Sequence, residues 1–330
     1  MNDLLEIRDV SKRFTRRLDF AGKLAARLGA NVREETVHAV DGVSLSVATG
    51  EVLGLVGESG CGKSTLGRVV AGVHAPSDGQ IVLDGADVAA LSGKARRAAT
   101  LAVQMIFQDP FASLNPRMRV EDIIGEAPRA HGLIDGDVGE YVAETMRRVG
   151  LDPSLRRRYP HQFSGGQRQR IGIARALAVR PRFLVCDEAI AALDVSIQAQ
   201  VLNLFMDLRE MLDLTYLFIS HDLSVVEHVA DRVAIMYLGR IVETAPTDAL
   251  FAAPRHPYTR ALLAEAPRLD HRKRAFEPIK GEIPSPLAPP SGCHFHPRCP
   301  RASELCQQER PPLEITPDGR TVACHHWRDA

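Results

Sequence analysis

Hydrophobic and polar positions divide the first 250 residues into short apolar runs and longer segments with helical spacing. Apolar runs of strand length, each ended by glycine or polar residues, lie at 51–56, 79–85, 103–107, 182–186 and 215–219. Further strands are expected at 4–10, at 43–47 and in a hairpin over 232–243. Helical spacing is clearest at 120–127, 138–149 and 168–179. Strands that alternate with helices predict an α/β fold, with a largely parallel sheet covered on both faces.

The pattern changes after residue 250. Six prolines between residues 267 and 290 predict an extended connector rather than part of a core. The chain has 330 residues, which is enough for one large domain with an appendage. We therefore expect one domain over 1–250 and a carboxyl-terminal extension over 251–330.

Charge and hydropathy restrict the classes of partner. Lys and Arg total 41 and Asp and Glu total 41, so no basic excess indicates nucleic acid as the main partner. The amino terminus lacks the apolar core of a secretion signal, and no run of about 18 apolar residues occurs. These features predict a cytosolic protein that does not itself span a membrane, in a compartment where disulfides are rare.

A glycine-rich stretch after the run 51–56 fits the phosphate-binding pattern G-x-x-x-x-G-K-[ST]. A strand before it and a helix after it direct backbone N–H groups and the positive end of the helix dipole at a phosphate. Lys63 is expected to reach the β- and γ-phosphates and Ser64 to ligate Mg²⁺. We expect this loop to bind a nucleoside triphosphate through Gly57, Glu58, Ser59, Gly60, Cys61, Gly62, Lys63, Ser64 and Thr65.

Three later stretches indicate which reaction the phosphate-binding loop serves. They read Phe-Ser-Gly-Gly-Gln at 163–167, an apolar strand ending in Asp-Glu at 183–188, and Ile-Ser-His-Asp at 219–222. With the phosphate loop and Gln108, their order and spacing resemble the ATP-binding cassette (ABC) family over residues 4–250. The resemblance implies a P-loop ATPase core with a mixed, largely parallel sheet and an amino-terminal antiparallel β part. It also implies a helical signature subdomain over about 109–178.

The resemblance gives each motif a role in ATP hydrolysis. Asp187, Ser64 and Gln108 would hold Mg²⁺, which keeps several waters in protein sites. Glu188 follows Asp187 and points elsewhere, so it can polarise the attacking water as a general base. His221 would donate a hydrogen bond to the γ-phosphate. Phosphoryl transfer to water needs mainly positioning and charge neutralisation, which these groups and Lys63 supply.

The signature stretch implies that two chains act together. In the family, the residues at the start of this helix face the γ-phosphate bound by a second subunit, and here they are Ser164, Gly165, Gly166 and Gln167. Asp194 is the last residue of the D-loop, 191–194, and is expected to cross the same interface. ATP would close the head-to-tail dimer and hydrolysis would reopen it. Ala189 and Ala191 stand where proline and serine are usual in the family, and neither change removes a catalytic group.

The region before the phosphate loop carries two further predictions. Phe14 is the candidate for stacking on the adenine base, by resemblance to the family. It is followed by a segment, 15–36, in which Arg and Lys residues are interspersed with leucines. This segment fits either a solvated insertion loop, which we favour, or a short amphipathic helix on a membrane surface or partner.

Four other stretches resemble the ATPases of dipeptide and oligopeptide importers: 107–118, 158–167, 193–200 and the His-Pro-Tyr region 255–263. The resemblance implies a second ABC ATPase subunit, two transmembrane permease subunits and an extracytoplasmic peptide-binding protein as partners. It places the chain peripherally on the cytoplasmic face of the cell membrane. The transported peptide, and whether the second cassette is an identical chain or a homologue, stay open.

Four cysteines crowd the carboxyl terminus with the spacing C-x5-C-x6-C-x17-C: Cys293, Cys299, Cys306 and Cys324. Four thiolates suit a [4Fe–4S] cluster or a structural zinc ion. The closely paired cysteines that zinc sites favour are absent from this spacing, and the importer resemblance implies an iron–sulfur cluster, which we favour over Zn²⁺. Nearby histidines could replace a ligand: His294, His296, His325 and His326.

Two other functions remain compatible with the sequence. Import of nickel or an oligosaccharide uses the same ATPase, because specificity resides in the partner subunits. A soluble ABC ATPase acting on nucleic acid or ribosomes belongs to a different class. Such proteins usually carry two cassettes per chain, coiled-coil insertions or basic surfaces, and this sequence shows none of them.

Overall fold

The computed structural model describes residues 3–16, 18, 34–109, 111–265 and 281–329. Its strands are β1 (Asp3–Arg16), β2 (Glu35–Ala48), β3 (Val52–Val56), β4 (Asp78–Leu83), β5 (Ala86–Asp87), β6 (Val103–Ile106), β7 (Phe183–Asp187), β8 (Thr215–Ile219), β9 (Arg232–Tyr237), β10 (Arg240–Pro246), β11 (Glu314–Ile315) and β12 (Thr321–Val322). Its α-helices are α1 (Lys63–Val70), α2 (Gly93–Ala102), α3 (Val120–Ala130), α4 (Val138–Arg148), α5 (Gly165–Leu177), α6 (Val195–Leu212), α7 (Leu223–Val229), α8 (Thr247–Ala252), α9 (Pro257–Glu265) and α10 (Glu304–Gln308).

The described strands form two sheets. The smaller is antiparallel, in the order β2-β1-β4-β5, and the larger has the order β11-β12-β10-β9-β3-β8-β7-β6. In the larger sheet β6, β7, β8, β3 and β9 run parallel, whereas β10, β11 and β12 pair antiparallel. The predicted α/β fold, with a mixed, largely parallel sheet and an amino-terminal antiparallel part, is confirmed.

Side chains of the parallel strands alternate between two cores, because successive residues of a strand point to opposite faces. On β7, Phe183 and Val185 pack with the antiparallel sheet and α1. Leu184 and Cys186 face the other way, into a core that includes α3, α5 and α6. Burial on both faces explains why the sequence shows these strands as continuous apolar runs.

The predicted helical segment lies between β6 and β7. It contains α3, α4 and α5, and each helix buries an apolar stripe against its neighbours. Among the described residues, no helix is both long enough and apolar enough to cross a membrane.

The basic segment 15–36 begins and ends in strands. Thr15 pairs with Thr36 and Arg16 with Glu35, so the ends of β1 and β2 form a hairpin stem. At these four positions both the favoured loop and the alternative of an amphipathic helix are wrong, because backbone pairing between β1 and β2 makes these residues strand. Of the rest of the segment, only Leu18 and Glu34 belong to the described residues.

The carboxyl-terminal segment extends the larger sheet. β12 pairs with β10 through the partners Glu243–Val322 and Thr244–Thr321, and β11 pairs with β12. Residues 281–292 have no regular secondary structure, while the remainder of the predicted connector, 267–280, lies outside the described residues. The division of the chain at residue 250 stays a prediction.

Candidate ATP-binding site

The phosphate-binding loop joins β3 to α1 and packs tightly against its neighbours. A Cβ atom on Gly57 would collide with the carbonyl oxygen of Met236, and one on Gly62 with that of Ala39. Gly62 also has φ +111°, a backbone conformation that favours glycine. Both glycines are therefore required by the close approach of other backbone segments.

Lys63 lies inside the curve of the loop. Its Nζ donates hydrogen bonds to the carbonyl oxygens of Gly57 at 2.7 Å and of Glu58 at 3.0 Å. The tip of the loop, Ser59 and Gly60, is exposed. The remaining loop residues are Cys61, whose thiol pKa is raised by burial, and Ser64 and Thr65 in the first turn of α1.

Ser64 and Asp187 meet, although 123 positions separate them in the sequence. The Ser64 hydroxyl donates a hydrogen bond of 2.7 Å to Asp187 Oδ1. Burial raises the pKa of Asp187, and the hydrogen bond from Ser64 opposes that rise. A hydroxyl and a carboxylate at a phosphate-binding loop form a donor set that fits Mg²⁺.

Three predicted catalytic side chains converge beside this pair. Gln108 Nε2 donates a hydrogen bond of 2.6 Å to Glu188 Oε2, and His221 Nδ1 lies 3.4 Å from Glu188 Oε1. Glu188 has a positive φ of 47°. Its N–H donates to the carbonyl oxygen of Ile219 at 3.0 Å, which ties it to the end of β8. The structure thus brings together residues that the sequence places on three separate segments.

The signature residues form the amino-terminal end of α5. Ser164 Oγ accepts a hydrogen bond from the Gln167 N–H, and the Gln167 side chain accepts one from the Ser164 N–H, which makes a capping box. Gly166 lies against Ile197 of α6, which starts immediately after Asp194. Val195, the next residue after Asp194, is 82% exposed. The signature and the D-loop therefore lie side by side at the surface.

Phe14 lies on β1. Its ring is 40% exposed, makes an edge contact with His74 at 5.6 Å, and has Lys12 Nζ 5.1 Å above it. Its role in adenine stacking stays a prediction.

The four carboxyl-terminal cysteines occupy one region. Cys293 N–H donates to the Cys306 carbonyl oxygen at 2.8 Å, and burial raises the pKa of Cys293 and of Cys324 to about 11. The neighbouring cysteines contribute to both of these increases. N–H groups of Arg301 and His326 point at the sulfurs of Cys299 and Cys324 at 3.4 Å. In the part of the chain that the structure describes, no three His, Cys, Asp or Glu side chains are placed to share one metal ion. The all-sulfur donor set is chemically suited to a thiolate-bound cluster, but this geometry does not itself define a metal site.

Two residues that contact the phosphate loop were missed by the sequence analysis. Tyr258 Oη accepts a hydrogen bond of 2.9 Å from the Glu58 N–H, and Arg298 pairs with the Glu58 carboxylate through both terminal nitrogens at 2.8 and 3.0 Å. Tyr258 belongs to the His-Pro-Tyr region, so a signal for it existed. Arg298 is 240 positions from Glu58, and its sequence context carries no comparable signal.

Comparison with known proteins agrees with this geometry. Residues 40–191 match the ABC transporter family, and residues 242–306 match the family described as the oligopeptide/dipeptide transporter, C-terminal region. The carboxyl-terminal match includes Tyr258, Arg298 and three of the four late cysteines.

Similar proteins cover nearly the whole chain. The oligopeptide transport ATP-binding protein AppF of Bacillus subtilis is 50% identical over 327 residues, which is 98% of this chain and 97% of AppF. The "Probable peptide ABC transporter ATP-binding protein y4tS" of Sinorhizobium fredii is 53% identical over 291 residues, 88% of this chain and 82% of y4tS.

Solved structures support the fold. CbiO1 from Clostridium perfringens superposes with a TM-score of 0.61 at 24% identity, covering 76% of this chain and 92% of CbiO1. A dimeric structure of the ATP-binding cassette MJ0796 with ADP and phosphate gives 0.61 at 23% identity, covering 74% and 98%. The chain belongs to the ABC transporter family, as one of the ATP-binding proteins that carry the oligopeptide/dipeptide transporter C-terminal region.

Proposed function

We propose that this chain is the ATP-hydrolysing subunit that powers import of dipeptides or oligopeptides through separate permease subunits. One observation carries the catalytic part: Gln108, Glu188 and His221 meet beside the Ser64–Asp187 pair at the phosphate loop. Glu188 is the candidate general base, because its carboxylate is held in place by Gln108 and faces His221.

Ser64, Asp187 and Gln108 are the candidate Mg²⁺ ligands. When bound, Mg²⁺ would neutralise charge on the β- and γ-phosphates. Lys63 would add the positive charge of its ammonium group, which lies inside the loop and donates hydrogen bonds to two carbonyl oxygens. His221 would donate to the γ-phosphate.

The signature and D-loop support action as a pair of cassettes. Ser164 and the N–H groups of Gly165 and Gly166 end at the surface, and Val195 beside Asp194 is exposed there. A surface that exposes both anion-binding N–H groups and an apolar side chain is suited to a partner carrying ATP. The partner would be a second ABC ATPase, either a homologue or an identical chain.

The peptide substrate is supported by the relatives and by the carboxyl-terminal region. AppF and y4tS are named as oligopeptide and peptide transport proteins, and residues 242–306 match a region described for oligopeptide and dipeptide transporters. The further partners would be two permeases and an extracytoplasmic peptide-binding protein, which places this chain peripherally on the cytoplasmic face of the cell membrane.

A copurification experiment separates the two classes of function. Membranes of the source organism are solubilised in mild detergent, and the tagged chain is recovered with its partners. The proposal predicts two permease subunits and a second ATPase in the recovered complex. Recovery of nucleic acid or ribosomes without permeases would support the soluble class instead. Uptake assays with labelled dipeptide, nickel and an oligosaccharide then distinguish the substrates.

Cys293, Cys299, Cys306 and Cys324 are proposed to bind a [4Fe–4S] cluster, with Zn²⁺ as the alternative. The support is the four-thiol donor set, the spacing in the sequence, and the N–H groups directed at two of the sulfurs. Anaerobic purification followed by metal analysis tests this. About four irons per chain and a broad absorption band near 400 nm are expected. One zinc per chain without colour, or no bound metal, would contradict the cluster.

A further inference from the structure

A largely buried ion pair with two hydrogen bonds joins the carboxyl-terminal segment to the phosphate loop. Arg298 contacts both carboxylate oxygens of Glu58, and the side chains are only 5% and 18% exposed. The hydrogen bonds that Arg298 donates to Glu58 raise the pKa of Arg298 above its already high usual value. An ion pair with two parallel hydrogen bonds fixes direction as well as distance.

Tyr258 holds the backbone of the same loop residue. Its hydroxyl accepts from the Glu58 N–H, while its ring packs against Tyr237 and Phe295 at centroid distances of 4.6 and 5.4 Å. Two residues of the carboxyl-terminal segment therefore hold Glu58: Tyr258 contacts its backbone and Arg298 contacts its side chain.

Buried polar groups fix the position of Tyr258. The Glu243 carboxylate accepts from the N–H groups of Arg255 and His256 at 2.8 and 2.9 Å, at the start of α9. His256 Nδ1 accepts from the Tyr258 N–H at 3.0 Å. The His-Pro-Tyr region is thus anchored to β10, which carries Glu243.

Arg298 is fixed by the cysteine-bearing segment. The 3₁₀ turn His296–Arg298 lies between Cys293 and Cys299, and the His296 N–H donates to the Cys293 carbonyl oxygen at 3.0 Å. His294 Nδ1 contacts the Leu238 carbonyl oxygen at 3.1 Å. The next residue, Gly239, donates from its N–H to the carbonyl oxygen of Cys61 in the loop at 2.8 Å.

We propose that Arg298 and Tyr258, together called the C-terminal clamp, are positioning residues for ATP binding. Both residues hold Glu58, and Arg298 neutralises its carboxylate, so that the phosphate loop accepts a polyanion. The proposal rests on the proposed ATP site. It assigns to the carboxyl-terminal region a direct effect on nucleotide affinity.

Electrostatics explains why the loop needs the clamp. An acidic side chain on a phosphate-binding loop repels the phosphates unless a cation pairs with it, and the repulsion is strong where water is partly excluded. Arg298 supplies that cation through its two hydrogen bonds to the Glu58 carboxylate. Tyr258 keeps the Glu58 N–H engaged, which fixes the loop in a single conformation before ATP arrives.

The test measures ATP affinity and turnover of the full-length chain. Arg298→Ala is expected to raise the Kd and the KM for ATP about tenfold or more, with kcat changed less than about threefold. Tyr258→Phe, which keeps the ring and removes only the acceptor, should raise both constants by a smaller factor. Arg298→Lys should fall between Arg298→Ala and wild type, because Lys keeps the charge and loses the paired hydrogen bonds.

A second change separates charge neutralisation from simple loss of structure. Glu58→Gln added to Arg298→Ala removes the unpaired carboxylate, so ATP affinity should return to within about threefold of wild type. A carboxyl-terminal segment that only stabilises the fold would give no such rescue. Unchanged ATP affinity in Arg298→Ala, or absence of rescue by Glu58→Gln, would overturn the proposal.

Two control variants make the failures distinguishable. Arg328→Ala removes an exposed ion pair with Glu314 inside the same carboxyl-terminal segment and should leave the KM for ATP unchanged. Lys63→Ala should abolish ATP binding. If Lys63→Ala binds ATP as wild type does, the ATP site is misplaced; if it does not and Arg298→Ala behaves as wild type, only the clamp is wrong.

Discussion

Gln108 donates a hydrogen bond of 2.6 Å to the carboxylate of Glu188, which joins the end of β6 to the end of β7. The other carboxylate oxygen of Glu188 faces His221, which follows β8. These parallel strands end at the same edge of the sheet. Gln108 therefore meets Glu188 across 80 positions of the sequence, and His221 meets it across 33. Gln108 and His221 thereby contact the two oxygens of a single carboxylate.

Glu188→Gln should reduce ATP hydrolysis by at least about 100-fold and preserve ATP binding, because it removes the proposed general base and keeps the shape of the side chain. Steady-state hydrolysis and equilibrium binding of ATP measure the two effects on the same preparation. Gln108→Asn provides a comparison that shortens the partner without removing the base. Hydrolysis at the wild-type rate in Glu188→Gln would show that the base is another group.

Ser64→Ala should increase the Mg²⁺ concentration needed for half-maximal hydrolysis about tenfold, since the proposed hydroxyl ligand and the Asp187 hydrogen bond are both lost. Titration of activity with Mg²⁺ at saturating ATP measures this. Ser64→Thr is the matched control, because the phosphate-loop pattern accepts either hydroxyl residue. Equal Mg²⁺ requirements in the Ala and Thr variants would exclude Ser64 as a ligand.

Two helical glycines should respond in opposite directions to replacement by alanine. A Cβ on Gly67, in α1, would lie 2.7 Å from Ile219 Cδ1 and 3.0 Å from Val185 Cγ1, so Gly67→Ala should destabilise the fold by about 1–3 kcal/mol. A Cβ on Gly172, in α5, meets no atom within 4 Å, so Gly172→Ala should stabilise it by about 0.5–1 kcal/mol.

Denaturant unfolding at fixed pH measures both changes. The same chemical substitution thus tests packing at one site and backbone entropy at the other. If both variants shift the free energy of unfolding in the same direction, the packing assigned to one of the two helices is wrong.

Two buried histidines should make the fold sensitive to mild acid. Burial lowers the pKa of His256 to about 3 and that of His294 to about 4. Below the ordinary histidine pKa of 6.5 the unfolded chain takes up protons that the folded chain does not, so the free energy of unfolding falls as the pH falls from 6.5. Between about pH 7 and about pH 5.5 each histidine should account for about 1 kcal/mol.

His256→Asn isolates the contribution of one histidine. This variant should lose about half of that pH dependence, measured by denaturant unfolding at the two pH values, because Asn does not titrate. His131→Asn, at an exposed position, serves as the control and should keep the wild-type slope. A His256→Asn variant with the wild-type slope would show that His256 takes up a proton in the folded state.

The strands and motifs of the nucleotide-binding part were predictable because their signals are local. β7 was visible as an apolar run ended by Asp187 and Glu188, and most of α5 as the helical spacing at 168–179. The meeting of these motifs at one site was implied by the resemblance to a family rather than by residue spacing alone.

The parts that escaped prediction depend on pairing between distant segments. β2 extends back to Glu35 because it pairs with β1, and its first residues carry no clear alternation. β12 has only two residues and exists through its ladder with β10. Arg298 and Glu58 form an ion pair across 240 positions, which no local pattern encodes.

ATP-driven uptake of a labelled dipeptide into proteoliposomes tests the central claim most directly. The vesicles contain the two permeases and the second ATPase with either this chain or its Glu188→Gln variant, and the peptide-binding protein is supplied on the substrate side. We expect peptide accumulation that requires ATP on the side of this chain and that falls to background with Glu188→Gln. Undiminished peptide uptake with the variant, or ATP-driven accumulation of nickel or an oligosaccharide in place of the peptide, would contradict the assignment.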